Sequence, residues 1–382
     1  MVGPDLPRAD SIRVTLVIGN LGPGGAERNL VRLAGALATD GYAVTLLTLN
    51  RAQPDFYDVP DNVTRIDASP LASCSPRWHD WLGQVRKRRA VRAVLLETLP
   101  DVVISFIDTC NVTVLGALWP HSVPVIVSER IDWRAHSLNW RWHLLRRLLY
   151  PTAKRVVCLA REPARDAANY WPPWRAVHIA NPVPALDDVS ATRPAWFGQH
   201  NVLAMGRLTH QKGLDILLDA FAQCARRCPS WHLTILGDGP DRYALEQQAA
   251  QLGIADRVSL PGNVAAPFPI MKAADLFVFP SRYEAFGMAL AEAMACGLPV
   301  ISSNCPSGPS DIVRDGVDGI LVPPCNVAAL AVSMEKLMKE HRHRDRLADR
   351  AVEVTERFSP ERIFGEWKRL IRDVLQERGV NR

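Results

Sequence analysis

Two glutamates, Glu284 and Glu292, stand eight positions apart in the stretch S-R-Y-E-A-F-G-M-A-L-A-E-A-M-A-C-G-L-P, residues 281–299. The apolar run 276–279 ahead of them reads as a buried strand that Pro280 ends. The small-residue run 288–296 reads as a helix, stopped by Gly297 and Pro299. Glu284 then falls in the loop before the helix and Glu292 inside it. The N–H groups of Phe286, Gly287 and Met288 would point beyond the helix N-terminus, an end that attracts phosphate. A carboxylate on each side of a phosphate cradle suits a ligand with hydroxyls at both ends, and a sugar nucleotide has that layout. The same residues also fit a surface helix with two solvated glutamates, and E-x7-E alone is common by chance.

Three further segments carry related chemistry. Gly206-Arg207-Leu208-Thr209-His210-Gln211-Lys212-Gly213 follows a short apolar strand and precedes an amphipathic helix with Leu214, Leu217, Leu218 and Phe221 on one side. Arg207 can bind phosphate oxygens in a fork, and Lys212 adds a mobile point charge. Gly237, in Ile235-Leu236-Gly237-Asp238-Gly239-Pro240, reads as a turn at a strand end. Gly22-Pro23-Gly24-Gly25-Ala26-Glu27 opens the first helix. It is not a dinucleotide fingerprint, because the last glycine of G-x-G-x-x-G is missing and no acid ends the second strand. A helix-starting turn without a ligand is the plain alternative.

Together these segments resemble the retaining glycosyltransferases of family 4, which have the GT-B fold. The family's marks are E-x7-E, G-R-x4-K-G, G-x-G-P, a G-G-A-E loop, and E-I-V-x-x-G-x-x-G-x-L-V. The last is matched at 311–322 with Asp311 in place of the usual Glu. The resemblance implies that Glu284 binds the donor sugar and Glu292 the ribose. It implies that Arg207 and Lys212 bind the diphosphate, so that Arg207, Lys212 and Glu284 form the catalytic set. Donor binding by Gly24, Gly25, Gly237, Phe286, Gly287 and Met288 is implied with Glu292. The donor expected is a nucleotide diphosphate sugar, a UDP-sugar first, delivering a hexosyl or N-acetylhexosaminyl group with retention. No metal or other cofactor is expected: Asp238-Gly239-Pro240-Asp241 has the wrong spacing for D-x-D.

Ser128-Glu129-Arg130 with Asp132 resembles, as S-E-R-x-D, a bacterial branch that builds capsule, exopolysaccharide and O-antigen glycans on polyprenyl carriers. Many other branches carry a histidine near here, where this chain has Arg130. Asp108, after the strand 102–106, also sits where open α/β sheets place ligands. The acceptor side is therefore assigned to Asp108, Glu129 and Arg130, although either acid could instead cap a helix. The implied acceptor is a polyprenyl-diphosphate-linked glycan.

Charge is divided unequally. Residues 1–184 hold 22 Lys+Arg against 16 Asp+Glu, and residues 185–382 hold 23 against 24. Basic residues gather at Arg86, Lys87, Arg88, Arg89 and Arg92, and interleave with Trp and Leu over 133–150. Such stretches suit an anionic membrane surface; equally, the apolar members could be core and the arginines solvated. No nucleic-acid-binding motif appears. No apolar run approaches a membrane span, and residues 1–11 do not read as a secretory signal. The eight scattered cysteines fit thiols in a reducing compartment. The expected location is cytoplasmic, peripheral at the inner face of the plasma membrane.

With 382 residues and strand-like runs alternating with helical ones, the chain is expected to be α/β. The resemblance makes that GT-B, two Rossmann-like doubly wound domains facing across a cleft. The boundaries read as 1–184, 185–358 and a last helix, 359–382, crossing back to the first domain. Strands are expected at 14–18, 43–49, 63–66, 102–106, 124–127, 156–159 and 177–179 in the first half. Two other functions share the architecture: a sugar-nucleotide 2-epimerase and a non-catalytic member of a polysaccharide assembly complex.

Overall fold

The computed structural model describes residues 11–50, 54–68, 81–120, 123–132, 140–170, 172, 175–377 and 379. Most of the N-terminal stretch 1–11 and the 133–139 part of the aromatic-basic stretch lie outside them. The chain forms two compact units. One comprises residues 1–180 with 361–382, the other residues 181–360.

The first unit holds β1 (Arg13–Ile18), β2 (Ala43–Thr48), β3 (Thr64–Asp67), β4 (Val102–Phe106), β5 (Val125–Ser128), β6 (Arg155–Cys158) and β7 (Ala176–His178). All seven expected strands are present, each within one residue. They form one parallel sheet in the order β3-β2-β1-β4-β5-β6-β7. Parallel pairing needs crossover helices, which cover both faces and favour mostly apolar strands. All five residues of β4, Val-Val-Ile-Ser-Phe, are buried for this reason.

The second unit repeats the plan with β8 (His200–Met205), β9 (Trp231–Leu236), β10 (Val258–Gly262), β11 (Leu276–Phe279), β12 (Val300–Ser303) and β13 (Ile320–Val322). Their order is β10-β9-β8-β11-β12-β13, again parallel. In both sheets the order reverses beside the first strand, between β1 and β4 and between β8 and β11. Loops leaving such a pair diverge to opposite faces and open a crevice at the strand C-termini.

The last helix, Pro360–Gln376, buries Ile363, Trp367, Leu370, Ile371, Val374 and Leu375, one face at helical spacing. It packs within the first unit. The Trp367 ring centroid lies 6.0 Å from that of Phe106, Lys368 pairs with Asp40 at 2.6 Å, and Arg155 pairs with Glu377.

Segment 311–322 proves to hold a structural knot. Asp318 is fully buried. It accepts from the Arg314 backbone N–H at 2.7 Å, from Arg314 Nε at 2.7 Å and from Arg357 Nη2 at 2.9 Å. Arg357 also donates to the Ile312 carbonyl at 2.7 Å. The carboxylate thus ties the loop before β13 to the Val354–Arg357 helical turn. Removing one partner of a buried charge pair strands the other. Asp318→Ala is expected to cost about 3–5 kcal/mol in urea unfolding, and Asp318→Asn less, since its amide oxygen still accepts. A loss under about 1 kcal/mol, the value of an exposed pair, would contradict this.

Candidate active site

The β8/β11 crevice brings together residues that lie 72 positions apart in the chain. After β8 the backbone turns at Gly206 and runs through Arg207 to a single 3-10 turn, His210–Lys212. Gly213 ends that turn with φ 63°, and a Cβ there would strike the Pro280 carbonyl oxygen. Only glycine allows this backbone to pass so close to the end of β11. Gly237 does the same between β8 and β9: at φ 125°, a Cβ would meet the Gly206 carbonyl. The Leu208 N–H donates to Asp238 O at 2.9 Å and the Asp241 N–H to Leu208 O at 3.1 Å, zipping these two turns side by side.

Lys212 lays its aliphatic stem across Gly206 and forms an ion pair with Glu284 Oε1. Its Nζ is 5.4 Å from the Phe279 ring centroid. Glu284 is buried, and its carboxylate also accepts from Ser281 Oγ at 2.8 Å. The Ser307 hydroxyl donates to the Glu284 carbonyl. Behind the pair, Arg282 holds Asp215 in a fork at 2.8 and 2.6 Å and donates to His210 O at 2.7 Å. The Arg282 hydrogen bonds hold the Asp215 carboxyl below its usual value despite partial burial. Gln211 Nε2 donates to Tyr283 O at 3.0 Å, and the Arg282 N–H to Gln211 O at 2.8 Å. Two loops from separate strands are thereby clamped into one rigid surface.

Glu292 lies buried inside the Met288–Ala295 helix, and Glu284 precedes it in the loop. Gly287 is the helix N-cap, with φ 105°. By position, the amides with no acceptor inside the helix are those of Gly287, Met288, Ala289 and Leu290, a group that shares Gly287 and Met288 with the expected set. Phe286 stands before the cap, and its buried ring packs edge-on against Phe358, 5.4 Å between centroids. Arg207 is exposed, with no hydrogen bond or ion pair for its guanidinium among the described residues. Ser281, Ser307, Arg282 and Asp215 were not singled out from the sequence. Ser281 and Arg282 lie within the E-x7-E stretch itself, whereas nothing local marks Ser307.

The remaining candidates lie in the first unit. Gly24 is the N-cap of the Gly25–Thr39 helix, and the Glu27 carboxylate folds back against it. Asp108 is the first residue of the Asp108–Leu118 helix, and its carboxylate accepts from the Thr109 N–H at 2.6 Å. The N-cap position is Ile107, with no side-chain cap bond, so Asp108 follows the cap rather than filling it. Arg130 stacks its guanidinium on Phe106, 3.5 Å from the ring centroid, with Trp367 at 5.9 Å. Burial lowers its pKa to about 9, so it stays charged at neutral pH.

Glu129 is buried at the end of β5 and accepts from the Tyr150 hydroxyl. Asn111 Nδ2 donates to Tyr150 Oη at 3.1 Å and to Ser128 O at 3.2 Å. Burial pushes the Glu129 carboxyl up to about 7; the Tyr150 hydrogen bond and Arg146 oppose this, while Asp108 and Asp132 add to it. An unfolded glutamate titrates near ~4.3. The folded state therefore holds the proton more tightly, and this contribution to stability is complete below about pH 4.3 and lost as pH rises to about 7. The unfolding free energy of the wild type, relative to Glu129→Gln, is expected to fall across that window. A difference that is flat with pH would contradict the assignment.

Comparison with known proteins places both units. The Glycosyltransferase Family 4 model matches residues 23–185, and the model for Glycosyl transferases group 1 matches residues 197–354. A Campylobacter jejuni α-1,4-N-acetyl-D-galactosaminyltransferase, named for a GalNAc-containing acceptor on PP-undecaprenol, is 29% identical over 95% of this chain and 99% of its own. The Erwinia amylovora amylovoran biosynthesis glycosyltransferase AmsD is 23% identical over 93% and 98%. Among solved structures, Anabaena HepE in complex with UDP and glucose superposes with a TM-score of 0.78 at 21% identity, covering 95% of this chain and all of that one. The lipopolysaccharide outer core galactosyltransferase WaaB gives 0.76 at 20% identity, over 95% and 99%. These likenesses establish the fold, and the two family domains follow one another along it as they do in the sequence. The chain carries glycosyltransferase domains of family 4 and group 1 on a GT-B fold.

Proposed function

We propose that this chain is a retaining glycosyltransferase that moves a sugar from a UDP-sugar to a polyprenyl-diphosphate-linked glycan in bacterial surface polysaccharide synthesis. The observation that carries the reading is the meeting of Lys212 and Glu284 at the β8/β11 crevice, with Arg207 exposed on the same loop. A cation for the diphosphate and a carboxylate for sugar hydroxyls stand side by side there, where open parallel sheets take ligands. Relatives named for a PP-undecaprenol-linked acceptor and for amylovoran synthesis support the acceptor class. The S-E-R-x-D segment, in which Glu129 and Arg130 lie, supports the bacterial branch, with Asp108, Glu129 and Arg130 on the acceptor side.

In this reading the bond from the anomeric carbon to the diphosphate breaks, and its electron pair leaves with the phosphate oxygen. An acceptor hydroxyl oxygen bonds to the anomeric carbon on the same face, and its proton passes to the departing phosphate. The chemistry then depends on neutralising the leaving group, the task given to Arg207, Lys212 and the helix N-terminus after Gly287. No resident cofactor is assigned. Glu284 orients the sugar and Glu292 the ribose, with Gly24, Gly25 and Gly237 letting backbone approach the donor.

The first unit offers a face suited to an anionic bilayer. On the Trp140–Leu149 helix, Trp140, Leu144, Leu145 and Leu148 are exposed at helical spacing. Trp119 is exposed too, held by Arg88 Nη2 on its carbonyl at 2.7 Å. Arg86, Arg88, Arg89, Arg141 and Arg147 lie on the same helices or beside them. The alternative that the apolar members are core holds for Tyr150 but not for these four. No helix among the described residues is long and apolar enough to cross a membrane. A peripheral position at the inner face of the plasma membrane fits this face.

Two measurements test the reading. Arg207→Ala and Lys212→Ala are each expected to lower sugar transfer roughly a hundredfold or more, as loss of transition-state charge stabilisation does. Near-normal turnover in both would refute the diphosphate assignment, and epimerisation of the free sugar nucleotide without transfer would favour an isomerase. Separately, the protein should sediment with phosphatidylserine-containing vesicles and be released as salt shortens the Debye length. Equal sedimentation with neutral vesicles would remove the membrane face.

A further inference from the structure

Glu284 is an unusual neighbour for a diphosphate. It is a buried carboxylate already paired with the cation assigned to that anion. It is also anchored: Ser281 Oγ donates to its carboxylate at 2.8 Å and Ser307 to its main-chain carbonyl, so it is held in place when an anion arrives. Lys212 is the mobile partner, an ammonium with three donors on a flexible stem. Any nucleotide that takes Lys212 therefore does so beside a fixed negative charge in a poorly solvated place, where like charges repel strongly.

We propose that the Lys212–Glu284 pair makes the second unit distinguish the intact sugar nucleotide from the spent nucleoside diphosphate, and favours release of the latter. This rests on the donor reading above. A nucleoside diphosphate ends in a terminal phosphate with two ionisable groups, the second of which titrates near pH ~6. At neutral pH it carries about one more negative charge than its sugar ester. Glu284 repels that added charge. In the intact donor a glycosyl group stands in place of the charge, and its hydroxyls donate to the carboxylate when Lys212 turns toward phosphate. One side chain thus rewards the sugar and penalises its absence.

The test is calorimetric titration of wild type, Glu284→Gln and Lys212→Ala with UDP and UDP-glucose, and in parallel with GDP and GDP-mannose. Glutamine keeps the shape and the acceptor oxygen but removes the charge. Glu284→Gln is expected to bind the nucleoside diphosphate roughly tenfold tighter than wild type, as follows from removing one nearby like charge. It should bind the sugar nucleotide no tighter, and its turnover should be more strongly inhibited by added diphosphate. Lys212→Ala should weaken both ligands. If Lys212→Ala weakens both but Glu284→Gln binds the diphosphate no tighter than wild type, the discrimination is refuted and the donor site stands. If Lys212→Ala changes neither affinity, or wild type binds neither nucleotide pair, the donor reading fails and this proposal falls with it.

Discussion

The reversal of strand order between β8 and β11 is the constraint on which the candidate site depends. In a parallel sheet every strand ends on the same edge, and its loop must leave toward one face or the other. Where the order reverses, two loops part and leave backbone ends, glycine turns and a helix N-terminus facing one crevice. The Gly206–Gly213 turn and the Pro280–Gly287 loop are the two that part here. Lys212 and Glu284 rejoin them across the gap, and Arg282 with Asp215 fixes the base of the same joint. Close packing of Gly213 and Gly237 against neighbouring backbone leaves little freedom for either loop to drift. The site is therefore built on a rigid frame, with Arg207 and the Lys212 ammonium as its adjustable parts.

Much of this frame was legible in the chain. Strands covered on both faces are mostly apolar, so runs such as 102–106 and 276–279 announce themselves without alternation. The helix bearing Glu292 was marked by small residues and by the Gly297 stop, and Glu284 fell in the loop as expected. Less visible was anything that depends on two distant segments meeting. Lys212 and Glu284 are 72 residues apart, and neither neighbourhood signals that they neutralise one another. Ser307 reaches the Glu284 carbonyl from the loop after β12, with no pattern of its own to mark it.

Other stretches divide residue by residue. The aromatic-basic residues up to Tyr150 divide by helical phase: Trp140 and Leu148 face outward, while Tyr150 turns inward to Glu129. Arg146, on the same helix, is buried with it. A count of aromatics and arginines cannot make that division. The segment 311–322 likewise matches a family pattern as a whole, while its most buried acid, Asp318, pairs with Arg314 and Arg357.

The closing helix carries a consequence for how the protein is made. Its apolar face, from Ile363 to Leu375, completes the core of the unit that begins the chain. During synthesis that unit must wait, with the Phe106 side of its sheet uncovered, until the helix Pro360–Gln376 has left the ribosome. The second unit, contiguous from 181 to 360, has all its strands in hand earlier. Birth order and completion order are thus inverted, and the exposed interval belongs to the half that starts first.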